Sequence, residues 1–198
     1  MKKRTEAAVI GAGMWGSVLA HLLALRGHEV RAWEFNKAVA RSLRVKRTHP
    51  ALPGFKLAAG VKVFTGLEEA VRSPGLLVMA VDSRHVRGLA RQLNVLLKDR
   101  PLPLIVAVTK GIEAGSLRTV CEVMEEELPR ARRKTMILTG PSFAVEVAAG
   151  APTKVVLAGL KPALVRAVAV LMEGGPLKFE ISDERLGAEL GGALKKVY

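Results

Sequence analysis

A glycine pattern near the start of the chain restricts its fold more than any other feature. The apolar run Ala7–Ile10 leads directly into Gly11, Gly13 and Gly16, spaced as G-x-G-x-x-G, and Met14–Leu25 then repeats apolar residues at helical intervals. Between a strand and a helix, the first glycine permits a tight turn, the second admits a pyrophosphate, and the third allows close helix packing. The pattern predicts a βαβ unit with a dinucleotide site at the helix N-terminus. A glycine-rich turn without a ligand is the alternative.

Apolar runs alternate with helical segments along the rest of the chain, as in a helix-wrapped parallel sheet. The predicted strands are Ala7–Ile10, His28–Glu34, Val61–Phe64, Leu76–Val81, Pro101–Gly111, Thr135–Ser142, Thr153–Leu157 and Leu177–Ile181. The predicted helices are Met14–Leu25, Lys37–Val45, one beginning at Gly66, one from Arg84 to Leu97, Leu117–Leu128, Ala163–Met172 and Asp183–Lys196. The predicted fold class is α/β, a Rossmann-type, doubly wound, mostly parallel sheet with a C-terminal helical stub.

The charge balance is strongly basic, with 31 Lys and Arg against 18 Asp and Glu and a net charge of +13. The positive residues are spread along the chain, without a helix-turn-helix pattern or aromatic residues interleaved with a basic stretch. A solvated basic surface is therefore favoured over a nucleic-acid interface. The four histidines lack the spacing of metal ligands, which favours surface or packing roles for them.

The cellular location is predicted from cysteine usage and hydropathy. The single cysteine, Cys121, excludes an internal disulfide framework and favours a reducing compartment. No apolar run approaches the roughly 18 residues needed to span a bilayer. The basic start of the chain leads into the first strand without a signal-peptide cleavage pattern. We expect a cytoplasmic protein without a membrane segment.

Glu34 stands at the end of the second predicted strand, where a carboxylate accepts hydrogen bonds from the adenosine ribose of NAD. A carboxylate there repels the 2′-phosphate of NADP, so the sequence favours NAD. Arg31, Lys37 and Arg41 lie nearby in sequence, and one of them could compensate the repulsion. NADP therefore stays open as the second cofactor, and an ordinary strand-end charge is the alternative role for Glu34.

Three further stretches carry a more specific signal. They are Val108–Glu113 (VTKGIE), Leu138–Val147 (LTGPSFAVEV) and Leu190–Val197 (LGGALKKV). Together with the glycine pattern, these stretches resemble bacterial NAD(P)-dependent glycerol-3-phosphate dehydrogenase in their order, spacing and residue identities, along essentially the whole chain. Two of the stretches follow predicted strands, and ligands of open parallel sheets bind at the carboxyl ends of the strands.

The resemblance implies a set of site residues. The implied cofactor contacts are Gly11, Gly13, Met14, Trp15, Gly16, Glu34, Phe35, Lys110 and Ala144. The implied substrate contacts are Lys110, Gly140 and Ser142. Lys195 matches the family's catalytic lysine, and Lys110 is the second catalytic candidate. A lysine at a strand end is also suited to a phosphate or carbonyl oxygen on chemical grounds alone. A solvated lysine is the alternative for Lys110 and for Lys195.

The implied reaction is hydride transfer between C2 of sn-glycerol 3-phosphate and the nicotinamide ring, which supplies a glycerophospholipid precursor. Lys195 is the candidate acid for reduction of dihydroxyacetone phosphate and the candidate base for the reverse step. This role requires a lysine pKa well below the free value of about 10.4, and neighbouring charge from Lys110 would lower it. The expected partner is the small-molecule substrate, with a homodimer as an open option.

Two features depart from the family. Lys196 stands where the family has asparagine, and family members continue beyond Tyr198 into a helical domain that grips the substrate phosphate. We therefore expect residues 1–182 to form the dinucleotide-binding domain and residues 183–198 to begin a truncated substrate domain. A catalytically incomplete cofactor-binding module is the alternative. A ketopantoate or β-hydroxyacid reductase is a third reading, and the Thr-Lys-Gly and Gly-Pro-Ser-Phe-Ala stretches argue against it.

Overall fold

One mixed sheet organises residues 4–194, the part of the chain that the computed structural model describes. Its strands are β1 (Glu6–Ile10), β2 (Glu29–Trp33), β3 (Val61–Phe64), β4 (Leu76–Met79), β5 (Leu104–Ala107), β6 (Thr135–Thr139), β7 (Thr153–Gly159) and β8 (Leu177–Ser182). Their order is β3-β2-β1-β4-β5-β6-β7-β8. Neighbouring strands are parallel except β6 and β7, which are antiparallel. The predicted fold class, a doubly wound and mostly parallel sheet, is confirmed.

The helices connect these strands. They are α1 (Met14–Leu25), α2 (Lys37–Arg41), α3 (Leu67–Ala70), α4 (Ser83–Leu96), α5 (Val120–Glu127), α6 (Ala144–Ala148), α7 (Pro162–Met172) and α8 (Arg185–Leu194). A π-helical turn, Ser42–Lys46, extends α2, and a short 3₁₀ turn, Pro129–Ala131, follows α5. The first helix has the bounds that its apolar spacing predicts.

Both faces of the sheet are buried, because alternate residues of each strand point to opposite sides. On β1, Ala7 and Val9 join a core cluster with residues of α1 and α7, whereas Ala8 and Ile10 join a second cluster with residues of α4 and α5. The strand order reverses at β1, which pairs with β2 on one side and β4 on the other. In such sheets the crevice at the carboxyl ends of the diverging strands is the usual ligand site.

Several elements are shorter than the sequence predicts, such as β5, which spans Leu104–Ala107 within the predicted Pro101–Gly111, and two helices differ more clearly. Helix α5 begins at Val120 and not at Leu117, because Leu117 has a left-handed φ of 57° and Thr119 forms a capping box with Glu122. The five-residue helix α6 was not predicted, because so short an element carries no measurable periodicity. It lies in the connection between β6 and β7, which stays at one end of the sheet since the two strands are antiparallel.

Helix α8 docks onto the sheet through charged residues. Arg185 and Glu189 are buried, and the Arg185 guanidinium pairs with Glu125 of α5 at 2.6 Å. The Glu189 carboxylate accepts hydrogen bonds from the Thr119 hydroxyl at 3.0 Å and from the Cys121 backbone N–H at 2.9 Å. These bonds satisfy the first turn of α5, so they lock the two helices together.

The opposite side of α8 is apolar and exposed. Leu186, Leu190 and Leu194 follow one another at intervals of four and are 54%, 36% and 51% exposed. Within residues 4–194, no helix is both long enough and apolar enough to cross a membrane.

Candidate active site

The glycine turn between β1 and α1 is built by close backbone approach. The N–H groups of Gly11 and Ala12 both donate to the Trp33 carbonyl at 3.0 Å, which ties the turn to the end of β2. Gly11 has a φ of 96°, and a Cβ there would lie 2.7 Å from the Ala80 carbonyl oxygen. A Cβ at Gly16 would overlap the Gly11 carbonyl oxygen, so α1 reaches the turn only without a side chain.

Gly13 has a different role from its two neighbours in the pattern. It is exposed, its backbone is extended, and a Cβ there would meet nothing within 4 Å. The fold therefore does not require a glycine at this position. A ligand that approaches the α1 N-terminus does require one, because phosphate oxygens must come close to the backbone N–H groups.

A cavity of about 730 Å³ opens beside this turn, between the ends of β1, β2 and β4 and one side of α4. Its volume is within the range of small-molecule and cofactor sites. Gly11, Gly13, Glu34 and Phe35, all predicted from the sequence, line it together. Phe35 is 69% exposed, so its ring presents a flat apolar face to this side of the molecule.

Glu34 is a buried carboxylate in this cavity, with 4% of its surface exposed. One carboxylate oxygen accepts from the Asn36 backbone N–H at 2.8 Å. Burial raises the pKa of Glu34, while hydrogen bonds from the backbone of Asn36 and Ala12 act in the opposite direction. The carboxylate is an acceptor fixed beside the glycine turn.

Arg31, Lys37 and Arg41, the cations near Glu34 in sequence, are not among the residues that line the larger cavity. Arg31 donates to the Glu69 carbonyl at 2.9 Å, and its guanidinium lies 4.6 Å from the centre of the Phe64 ring. Arg84 lines the cavity instead, and it pairs with Asp82, the residue that caps the N-terminus of α4.

A second cavity of about 310 Å³ continues the cleft towards β5. It shares Ala80, Val81 and Asp82 with the larger cavity, so the two form one groove along the carboxyl ends of the strands. Its lining brings together three residues that were predicted from separate motifs. They are Trp15 on α1, Lys110 after β5 and Ser142 after β6.

Lys110 is the central cation of the smaller cavity. Its Nζ donates to the Gly140 carbonyl at 2.9 Å, which links the strand ends of β5 and β6. Gly140 has a φ of 147°, and a Cβ there would lie 3.1 Å from the Lys154 carbonyl oxygen, so this turn favours glycine. The Ser142 backbone N–H donates to the same Gly140 carbonyl at 2.9 Å.

Met14 and Ala144, two further predicted cofactor contacts, are not among the residues that line either cavity of the groove. Met14 begins α1 and is 45% exposed. Ala144 begins α6 and packs against the core beneath α1. Lys195 lies outside the described residues; it follows Leu194, the last described residue of α8. A Cβ at Gly192 would lie 2.5 Å from the Thr139 hydroxyl, so α8 closely approaches the end of β6.

The groove also contains residues that sequence reasoning missed. Asp82 and Arg84 open α4, and His49 and His85 line the larger cavity. Asp82 directly follows the apolar run of β4, so the rule that ligands gather at strand ends could have identified it. His49 lies in an irregular connection, where no periodic signal exists. Among residues 4–194, no three His, Cys, Asp or Glu side chains are grouped as metal ligands.

An ion pair anchors the loop that carries Lys110. Arg87 of α4 holds the Glu113 carboxylate at 2.7 Å, and it also contacts Glu126 and Glu127 near the end of α5. The hydrogen bonds from Arg87 lower the pKa of Glu113 to about 2. Because the ordinary value is 4.5, Glu113 stabilises the fold fully above about pH 4.5, and this contribution disappears as the pH falls towards 2.

A Glu113→Gln variant is expected to have a lower melting temperature than the unmodified chain at neutral pH. The difference between the two melting temperatures is expected to shrink as the pH falls. Thermal unfolding measured between pH 7 and pH 3 tests this. Glu68→Gln is the control, since Glu68 is exposed and forms no ion pair among the described residues. A gap that stays constant down to pH 3 would show that the pair does not stabilise the loop.

Comparison with known proteins shows which family this sequence resembles. A family model described as NAD-dependent glycerol-3-phosphate dehydrogenase N-terminus matches residues 6–165. The glycerol-3-phosphate dehydrogenase [NAD(P)+] of Fusobacterium nucleatum is 36% identical over 191 residues, which are 96% of this chain and 56% of that protein. The protein of the same name from Geobacter sulfurreducens is 39% identical, with the same two shares.

A solved structure gives the same result. The crystal structure of glycerol-3-phosphate dehydrogenase from Coxiella burnetii superposes with a TM-score of 0.88 at 26% identity, over 98% of this chain and 58% of that one. The chain thus spans little more than half the length of the relatives it matches. By its sequence and its fold, the chain belongs to the NAD-dependent glycerol-3-phosphate dehydrogenase family, whose N-terminal region it matches.

Proposed function

We propose that this chain is the cofactor-binding part of an oxidoreductase that interconverts sn-glycerol 3-phosphate and dihydroxyacetone phosphate with NAD. The observation that carries the proposal is the continuous groove that brings the glycine turn, Glu34, Lys110 and Ser142 together at the strand ends. The names of the relatives supply glycerol 3-phosphate as the substrate and NAD and NADP as the two cofactors.

The residues fit a dinucleotide. The exposed N-terminus of α1 and the open space at Gly13 leave room for a pyrophosphate against backbone N–H groups. In our proposal Met14 and Trp15 cover this pyrophosphate, Phe35 lies beside the adenosine and Ala144 contacts the cofactor further along. The elongated groove matches an extended ligand better than a compact one.

The cofactor preference follows from Glu34. A buried carboxylate fixed by backbone N–H groups is suited to accept hydrogen bonds from ribose hydroxyls. A 2′-phosphate at the same place would bring two negative groups together in a poorly hydrated site. Arg31 donates to the Glu69 backbone carbonyl and lies over the Phe64 ring, and neither it nor Lys37 nor Arg41 lines the cavity beside Glu34. We therefore propose NAD as the preferred cofactor, with NADP as the second.

The substrate end is proposed at Lys110. Its ammonium is positioned by the Gly140 carbonyl and faces the smaller cavity, where Ser142 offers a hydroxyl. A fixed cation and a hydroxyl suit a small phosphorylated ketone or alcohol. The net charge of +13 also attracts phosphorylated metabolites to the surface.

The chemistry divides between the cofactor and the chain. A bound nicotinamide supplies or accepts the hydride at C2 of the substrate. We propose that Lys195 donates the proton to the developing alkoxide and removes it in the reverse direction. Lys110 orients the substrate and, as a nearby cation, favours the neutral form of a second lysine.

The other parts of the proposal concern organisation. We propose that residues 1–182 form the dinucleotide-binding domain and that residues 183–198 begin the substrate domain. We propose that the partner is the small phosphorylated substrate and not a nucleic acid. We propose a cytoplasmic location, which is consistent with the free, buried Cys121. The exposed leucines of α8 leave a homodimer open. A cofactor-binding module without turnover is the second candidate, favoured by the short span of the chain relative to its relatives.

The 198-residue chain is expected to oxidise NADH slowly with saturating dihydroxyacetone phosphate, well below the roughly 1–10³ per second of typical enzymes. Orientation of the substrate supplies much of the rate enhancement, and these 198 residues match only 56% of the length of the Fusobacterium nucleatum relative. Stopped assays of NADH absorbance measure the rate, with Lys195→Ala as the control. Turnover in the usual range, abolished by Lys195→Ala, would contradict the expected low activity and show that this chain suffices.

A further inference from the structure

His49 is a buried histidine in the wall of the larger cavity, outside every motif named above. It lies in the connection between the π-helical turn and β3 and is 7% exposed. It lines the cavity together with Glu34, Asn36 and Val39. A histidine in this position is part of the surface that a ligand beside Glu34 would contact.

The hydrogen bonding of His49 fixes where its proton lies. Its Nδ1 accepts from the Ala51 backbone N–H at 3.1 Å, so the neutral ring carries its proton on Nε2. Burial lowers the pKa of His49 below 6.5, so the ring is neutral near pH 7. Within the described part of the chain, no hydrogen bond joins Nε2 to an acceptor, and Nε2 is not a fully buried atom without a partner, so it is accessible from outside the protein interior.

The cavity wall therefore combines two complementary groups. Glu34 offers a carboxylate that accepts hydrogen bonds, and His49 offers an N–H that donates one. A ribose hydroxyl donates one hydrogen bond and accepts others, so its chemistry matches a carboxylate acceptor and an N–H donor that line the same cavity. A phosphate ester at the same oxygen has no proton for the carboxylate.

We propose that His49 is a cofactor-binding residue whose Nε2–H donates to the adenosine ribose 2′-hydroxyl that in turn donates to Glu34. The inference rests on the proposed dinucleotide function and assigns the specificity for an unphosphorylated ribose to a pair of residues. An unsatisfied donor in a buried wall is costly, so the pair also disfavours ligands that lack the hydroxyl.

Two substitutions separate binding from folding. In His49→Asn the side-chain oxygen replaces Nδ1 and keeps the Ala51 N–H bonded, but nothing replaces Nε2. In His49→Gln the amide reaches the place of Nε2, but the acceptor for Ala51 is lost. We expect His49→Asn to bind NAD about tenfold more weakly with an unchanged melting temperature. We expect His49→Gln to melt lower and to bind NAD within about threefold of the unmodified chain.

A matched control and a modified ligand complete the test. His21 has the same kind of bond, with Nδ1 accepting from the Ala58 N–H at 3.1 Å, and it does not line the cavity. His21→Asn should leave NAD affinity unchanged. The 2′-deoxyadenosine analogue of NAD should bind the unmodified chain more weakly than NAD does, and His49→Asn should remove most of this difference.

The outcomes distinguish a failure of the role proposed for His49 from a failure of the proposed function. Calorimetric titrations in which the unmodified chain binds NAD but His49→Asn binds it equally well would overturn the role of His49 and leave the cofactor site intact. Equal discrimination between NAD and its 2′-deoxy analogue by both proteins would do the same. Failure of the unmodified chain to bind NAD or NADP would overturn the proposed function and this inference with it.

Discussion

A Gly13→Val variant is expected to keep its fold and to lose affinity for NADH by at least about 100-fold, equivalent to about 2.8 kcal/mol. A Cβ at this residue would meet nothing within 4 Å, so the turn has room for the start of a side chain. The extended backbone at this residue is one that valine adopts readily. The branched side chain would instead occupy the space in which phosphate oxygens approach the N-terminus of α1.

Calorimetric titration with NADH, together with a thermal melt, measures both halves of this prediction. Gly60→Ala is the control, since Gly60 precedes β3 at the opposite end of the sheet and a Cβ there makes ordinary contact with Ala24 at 3.5 Å. The control should bind NADH as the unmodified chain does. A folded Gly13→Val variant with unchanged affinity would place the pyrophosphate elsewhere.

Gly16→Ala, in contrast to Gly13→Val, is expected to destabilise the fold. We expect it to lower the free energy of unfolding by about 3 kcal/mol or more. The added Cβ would overlap the carbonyl oxygen of Gly11, which is backbone and cannot rotate away. Relief requires α1 to move off the turn, and α1 packs in the main core cluster through Val18, Leu19 and Leu23. The displacement therefore spreads into the core.

Urea unfolding of Gly16→Ala and Gly13→Ala compares two alanines in one motif. The Gly13→Ala variant should lie within about 1 kcal/mol of the unmodified chain, because its Cβ meets nothing. Equal stability of the two variants would mean that the close approach of α1 to the turn does not constrain the fold.

The alternation of strands and helices could be predicted because both faces of the sheet are buried, so each strand reads as a short apolar run. The bounds of α1 followed from the same logic, since Gly13 and the apolar spacing define its start. The direction of β7 could not be read in this way. Its residues alternate like those of any strand, and its antiparallel pairing depends on where residues 140–152 return to the sheet.

The candidate site could be predicted where it lies in motifs at strand ends, as for Lys110 and Ser142. The part of the site that contains His49 could not be predicted, because His49 lies in a connection without periodicity. The orientation of its ring depends on the hydrogen bond from the Ala51 N–H, which the sequence does not reveal. Helix α8 shows a related limit. Its sequence contains a charged stripe and a leucine stripe, and burial of Arg185 depends on Glu125, a residue that only the folded chain brings near.

The proposed function depends most directly on whether this chain binds a dinucleotide at the groove. Titration of the unmodified 198-residue chain with NADH and with NADPH, followed by calorimetry, measures stoichiometry and both affinities. We expect one molecule of NADH per chain and weaker binding of NADPH, because the buried Glu34 carboxylate opposes the 2′-phosphate. Absence of binding by either dinucleotide to the folded chain would contradict the central claim.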